Sequence, residues 1–192
     1  MRTSCVLAHL LCASTLAVAA AGCGGGSKSY SGTEPSVWAA TVCGAVGDWT
    51  RELQANGAQN NPGLGGASDL EVVKRRFVAF LESAERSSRT MTTRIAAAGA
   101  PAVKDGAAIQ RDLVSGVEAA QASLARATVR AKKLSTTTRQ GFLNGLQALG
   151  GDVQTELADV GTEFNTTLGG NYTDSTLNKA TSEEPSCSDI AG

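Results

Sequence analysis

One pattern occurs four times along this chain and narrows the folds open to it: apolar residues three and four positions apart, sustained over several turns. The first stripe is Trp38, Val42, Val46, Trp49 and Leu53. The second is Leu70, Val73, Phe77, Phe80, Ala84, Ser88, Met91, Ile95 and Ala98. The third runs Ile109, Leu113, Val117, Ala120, Leu124, Ala127 and Leu134, and the fourth Phe142, Leu146, Leu149, Val153, Leu157, Val160 and Phe164. Residues so spaced share one face of a helix. Period-two runs of β-branched and aromatic residues, the mark of a strand, are absent.

The punctuation agrees with four helices. Pro35 suits a first helical turn. Gly57 to Ala67, with Pro62, Gly63, Gly65 and Gly66, reads as a breaker loop. Ser68-Asp69-Leu70-Glu71 has the form of a capping box. Gly99-Ala100-Pro101 is expected to stop the second helix and start the third. Ser135 to Thr138 offers capping oxygens before the fourth, in which Gly150-Gly151 should weaken or kink the helix. Gly169-Gly170-Asn171 ends it and leaves a polar tail. Glu71 with Arg75, Glu82 with Arg86 and Glu85 with Arg89 are i,i+4 pairs on the second helix. The expected fold is all-α: an antiparallel up-down four-helix bundle with a flexible N-terminal tether and a polar C-terminal tail.

The N-terminus carries an address. Met1-Arg2 precede an uncharged run, Val6 to Ala21, too short for a membrane-spanning helix and laid out as a secretory signal. It closes on Ala20-Ala21-Gly22-Cys23, which resembles the lipobox of bacterial lipoproteins, with Ala20 where Leu is commonest. The Ala-, Gly-, Thr- and Arg-rich composition is similar to that of actinobacterial proteins. The resemblance implies removal of residues 1–22, acylation of the Cys23 thiol and a mature N-terminus at Cys23. The alternative is an ordinary signal peptidase site at Ala19-Ala20-Ala21, with Cys23 a spare thiol. Residues 23–32, Gly/Ser-rich, would then be a flexible tether, and 33–192 the bundle and its tail.

On that reading Cys5 and Cys12 leave with the signal and Cys23 carries lipid. Cys43 and Cys187 remain, in a compartment that permits disulfides. A bridge would tie the first helix to the C-terminal tail; two free buried thiols are the alternative. Removing residues 1–22 takes one base and no acid, so the formal net charge goes from −1 to −2. Such a balance excludes a phosphate-neutralising nucleic-acid binder.

Little catalytic chemistry is available. The single histidine is His9, within the signal, so the mature chain offers no imidazole for a nucleophile relay or a zinc site. Phosphate-loop and nucleophile-elbow patterns do not occur, and no metal, cofactor or catalytic residue is expected. Asp152, Glu156, Asp159 and Glu163 line one face of the fourth helix and can do acid/base work or bind a hard cation. As a solvated face they would pair with Arg86, Arg89 or Arg94. Arg126, Arg130, Lys132, Lys133 and Arg139 gather at one bundle end. They can meet anionic headgroups or wall polymers, or simply complement the helix dipole.

The expectation is a protein on the outer face of the cytoplasmic membrane, anchored through Cys23. It would act by binding an envelope protein rather than by catalysis. A small-ligand or lipid carrier is the rival, since Ala84, Gly106, Gly116, Ala120 and Ala127 leave room between helices or else allow close packing. A carboxylate-dependent enzyme and a purely structural role complete the alternatives.

Overall fold

The computed structural model describes residues 29–60, 69–165 and 174–188, without the side chains of 59, 60, 157 and 159–165. Every regular element among them is helical: α1 (Pro35–Asn60), α2 (Leu70–Ala97), α3 (Gly106–Lys132), α4 (Arg139–Asn165), α5 (Ser175–Glu183) and α6 (Pro185–Ser188). One isolated bridge joins Thr33 to Pro101. Cys23, the signal at 1–22 and most of the tether lie outside the described residues.

α2 and α3 form the spine. Gln110, early in α3, donates through Nε2 to the Ile95 carbonyl late in α2 at 2.7 Å. At the other end, Thr136 beyond α3 donates to Glu71 in the first turn of α2. The two helices therefore run in opposite directions. Along this spine lie two separate cores. The first joins Trp38, Val42 and Ala45 of α1, Met91 and Ile95 of α2, Ile109 and Leu113 of α3, and Leu177 of α5. The second joins Leu81 of α2, Ala127 and Ala131 of α3 and Leu149 of α4, with Phe77, Phe80 and Val153 against it. Consecutive long helices thus pack in order, and α1 also packs against α5 and α6.

Between the cores, Ser87 and Ser88 of α2 and Ser123 of α3 are buried, and Thr128 is buried beside Ala127 of the second core. Ser87 and Thr128 turn their hydroxyls back onto the carbonyls of Ala84 and Leu124, at 3.1 and 3.0 Å. That satisfies the groups inside their own helices. Ser88 Oγ is buried with no partner among the described residues.

Several sequence expectations are corrected. The α2 cap is Asp69, whose carboxylate accepts from the Glu71 and Val72 amides at 2.9 and 3.2 Å; Ser68 lies outside the described residues. Pro101 does not start α3. The chain turns through Val103 and left-handed Asp105, and the helix begins at Gly106. A Cβ at Gly106 would sit 1.9 Å from the Pro101 carbonyl, so only glycine admits this approach. Gly99 adopts φ 69° just beyond the α2 cap, a conformation that glycine reaches without steric cost. On α2, Leu81 joins the second core although it falls outside the periodic stripe. The segment read as a polar tail contains α5 and α6, with Leu177 buried in the first core. Asp174 caps α5 by accepting from Thr176 and Leu177.

Gly150-Gly151 leaves α4 uninterrupted, and a Cβ at either position would meet nothing within 4 Å. The two glycines bring backbone entropy and no packing benefit. Gly150→Ala and Gly151→Ala are each expected to raise stability by about 0.5–1 kcal/mol, read as a higher denaturant midpoint at unchanged slope.

Candidate functional site

Three groupings of polar residues stand out. The first fastens the start of α1 to the α2–α3 turn. Thr33 donates its amide to the Ala100 carbonyl at 2.7 Å and its hydroxyl to the Ala98 carbonyl at 2.6 Å. The Trp38 indole N–H reaches both the Gly99 carbonyl, at 3.0 Å, and Gln110 Oε1, at 2.9 Å. Trp38 is thus a core residue whose polar edge closes the end of α2. Close by, Cys43 and Cys187 form a disulfide with Cα atoms 4.9 Å apart. It ties α6 to α1 across 144 positions of sequence. This pair is the one expected from the cysteine count.

The second grouping holds the carboxylates singled out on α4. Glu156 accepts from the Ser123 hydroxyl at 2.6 Å, Arg126 at 2.7 Å and Arg130 at 3.0 Å. Arg130 also reaches Asp152 at 3.2 Å. The partners therefore come from α3, not from Arg86, Arg89 or Arg94 of α2. Arg89 is bound to Glu85, and Arg94 to Asp48 of α1. The side chains of Asp159 and Glu163 lie outside those described. The Ser123 hydroxyl, then Arg126 and Arg130, bring the Glu156 carboxyl from its ordinary 4.5 down to about 2, against the opposing effect of desolvation. A carboxyl so low carries no proton near neutral pH and cannot serve there as a general acid. The cluster is an interhelical clamp. Among the described residues, no group of three or more potential ligands is placed to hold a metal ion.

The third grouping is a cleft of about 200 Å³ between α1 and α2. Ala45, Trp49 and Met91 give it apolar walls; Asp48, Arg51, Glu52, Thr90 and Arg94 give it polar ones. Arg94, with Arg51 on the other side, holds the Asp48 carboxyl below its ordinary value. A Cβ at Gly44 would stand 3.8 Å from the nearest Arg94 guanidinium nitrogen, an ordinary contact, so the Arg94–Asp48 pair does not require glycine there. The Trp49 indole nitrogen is buried and has no partner among the described residues. Trp49 lines the cleft while also packing against the first core, as its place in the α1 stripe predicts; the sequence places room instead beside small residues elsewhere. Of those, Ala84 and Ala127 are closely packed and Gly106 lies against Pro101. The i,i+4 and i,i+3 spacings on the two helices would not have revealed the cleft, because Asp48 and Arg94 meet only after α1 and α2 pack.

No protein family, curated protein or solved structure matches this chain.

Two outcomes test these groupings. The native Glu156 carboxyl lies below its unfolded value, so its contribution to stability is full above pH 4.5 and is lost as the pH falls through about 2. Glu156→Gln should flatten the acid limb of a stability–pH profile in that window while leaving α-helix content by circular dichroism unchanged. Reduction of Cys43–Cys187 should lower stability by about 4–5 kcal/mol in the chain-entropy account of so long a loop. The check is chemical unfolding with and without reductant, with Cys43→Ser/Cys187→Ser as the reductant-insensitive control.

Proposed function

We propose that this protein is a lipid-anchored binding or interaction module of the bacterial cell envelope, held on the outer face of the cytoplasmic membrane through Cys23. The observation that carries the reading is the Cys43–Cys187 disulfide. Structural disulfides persist in oxidising compartments and are rare in a reducing cytosol. It supports the exported destination that the N-terminal signal and its lipobox-like ending independently suggest. No helix among the described residues is long and apolar enough to cross a membrane, and an acyl chain on Cys23 is the attachment proposed here. The four long helices are taken as an antiparallel up-down bundle, supported by the packing of α1 on α2, α2 on α3 and α3 on α4. The job is binding rather than catalysis, because the mature chain lacks histidine and its best carboxylate cluster is consumed in ion pairs. The partner is an envelope protein, with no cofactor and no nucleic acid.

The α1–α2 cleft favours a second reading, a carrier of a small ligand. Its walls offer an aromatic face and both signs of charge. Such a pocket suits a small zwitterion. The ligand would compete for Asp48 and Arg94, which bind each other in its absence.

A Cys23→Ala variant should leave the membrane fraction as soluble protein or remain as uncleaved precursor. Mature-sized Cys23→Ala protein still sedimenting with membranes would overturn the anchor. Native mass spectrometry of the extracted protein decides the second reading. A non-covalent mass that is lost on denaturation, and on Asp48→Asn, supports the carrier; a bare acylated chain rejects it.

A further inference from the structure

The two ends of the molecule carry opposite charge. At one end the chain enters α1 beside the α2–α3 turn, through the bonds from Thr33 to Ala100 and Ala102. Around that entry lie Glu34, Asp105, Asp112, Asp174, Glu183 and Glu184, against Lys104, Arg111 and Lys179, with Arg94 of the last α2 turn paired to Asp48. The opposite end is about 40 Å away, the length of helices such as α2 and α3. There the fold gathers the start of α2, the end of α3 and the start of α4. These bring Lys74, Arg75, Arg76, Lys133 and Arg139 together, against only Asp69 and Glu71. Asp69 is engaged in capping α2, and Glu71 accepts the Thr136 hydroxyl. No acid follows Glu52 in α1 or precedes Asp152 in α4. Among the described residues the neighbouring helices add no other acid at this end.

This set differs from the one legible along α3. Arg126 and Arg130 are committed to Glu156 and Asp152, and Lys132 to Glu82. In their place the fold supplies three consecutive bases from the first turns of α2. Lys74, Arg75, Arg76 and Lys133 bind no carboxylate among the described residues, and Arg75, Arg76 and Lys133 are exposed. Arginine-rich sets suit phosphate, which the guanidinium fork meets in bidentate fashion.

We propose that the end remote from the chain entry is a docking surface for a linear phosphate-bearing polymer of the envelope. The charge asymmetry is independent of the anchor; placing the polymer in the envelope rests on the lipid-anchored reading. The anchor attaches at the entry end, so the basic end lies about 40 Å from the point of attachment, which favours polymer over lipid as the occupant.

The test uses the full chain extracted in mild detergent and immobilised linear polyphosphate as the probe. Retention should weaken with salt, with a log–log slope of about −2 to −4 for a handful of phosphate contacts. Arg75→Glu/Arg76→Glu/Lys133→Glu should weaken binding by about a hundredfold or more at low salt. Lys104→Glu/Arg111→Glu/Lys179→Glu makes the same change in net charge at the entry end, and should move binding less than about threefold. Equal loss in both variants, or no retention of the wild type, overturns the proposal. A bilayer target is tested with the anchored chain in discs of neutral or one-third anionic lipid. Protection of Lys133 from amine acylation by polyphosphate in either disc supports the polymer; protection by anionic lipid alone overturns it. Failure of the anchor itself shows only in the Cys23→Ala fractionation, so the two readings fail separately.

Discussion

The end of α2 is where this fold is fastened. A helix leaves its last carbonyls without intrahelical partners; here a group from α3 takes one of them, and groups from the start of α1 take the carbonyls of the cap and turn that follow. Gln110 takes Ile95, the Thr33 hydroxyl takes Ala98, the Trp38 indole takes Gly99 and the Thr33 amide takes Ala100. Each bond contributes about 1 kcal/mol net, while an unmet buried group costs about 1–3. The set therefore penalises any arrangement that does not bring α1 and α3 to this point. Gly99 and Gly106 make the approach sterically possible, and the disulfide holds α6 a short way along α1.

From that point the two cores follow. α1 and α5 complete the first core at the fastened end, and α4 completes the second at the other. The spine between them carries buried hydroxyls that are met in different ways: Ser87 bonds within its own helix, Ser123 reaches Glu156 of α4, and Ser88 has no partner among the described residues. The α3–α4 contact relies in addition on the Arg126–Arg130–Glu156 clamp, which is partly exposed. Charge pairs in such positions are worth less than buried ones, and Ser123 and Leu149 share the task of holding α4 in place.

The ion pairs also shape what the surface offers a partner. By neutralising Arg126, Arg130 and Lys132 they remove the charge that the α3 sequence displays most plainly. By crossing from α1 to α2, Asp48 and Arg94 build one wall of a cleft. The surface left for recognition is thus what remains after the helices have paired with one another. It consists of a basic end contributed by α2, α3 and α4, and a cleft beside Trp49.

The sequence by itself determined the helical class, because the 3-4 spacing of apolar residues can be buried on one face only by a helix. It also marked the end of α2 at Gly99, whereas Gly150-Gly151 lie within an uninterrupted α4. Stripe positions such as Trp38, Val73, Ile95, Ile109, Leu113 and Phe142 are buried as the periodicity requires. Periodicity could not find Leu177, which stands alone in a polar segment and is buried only because α5 is held to α1. Nor could it assign partners to Glu156. A charged residue on a helix face is equally compatible with any basic neighbour, and Arg126 and Arg130 were chosen by the packing of α3 on α4. Local pattern fixes which face a side chain occupies, through the geometry of one helix. Which face it meets, and which charges remain unpaired, depends on contacts between residues far apart in the chain, and only the tertiary structure decided those.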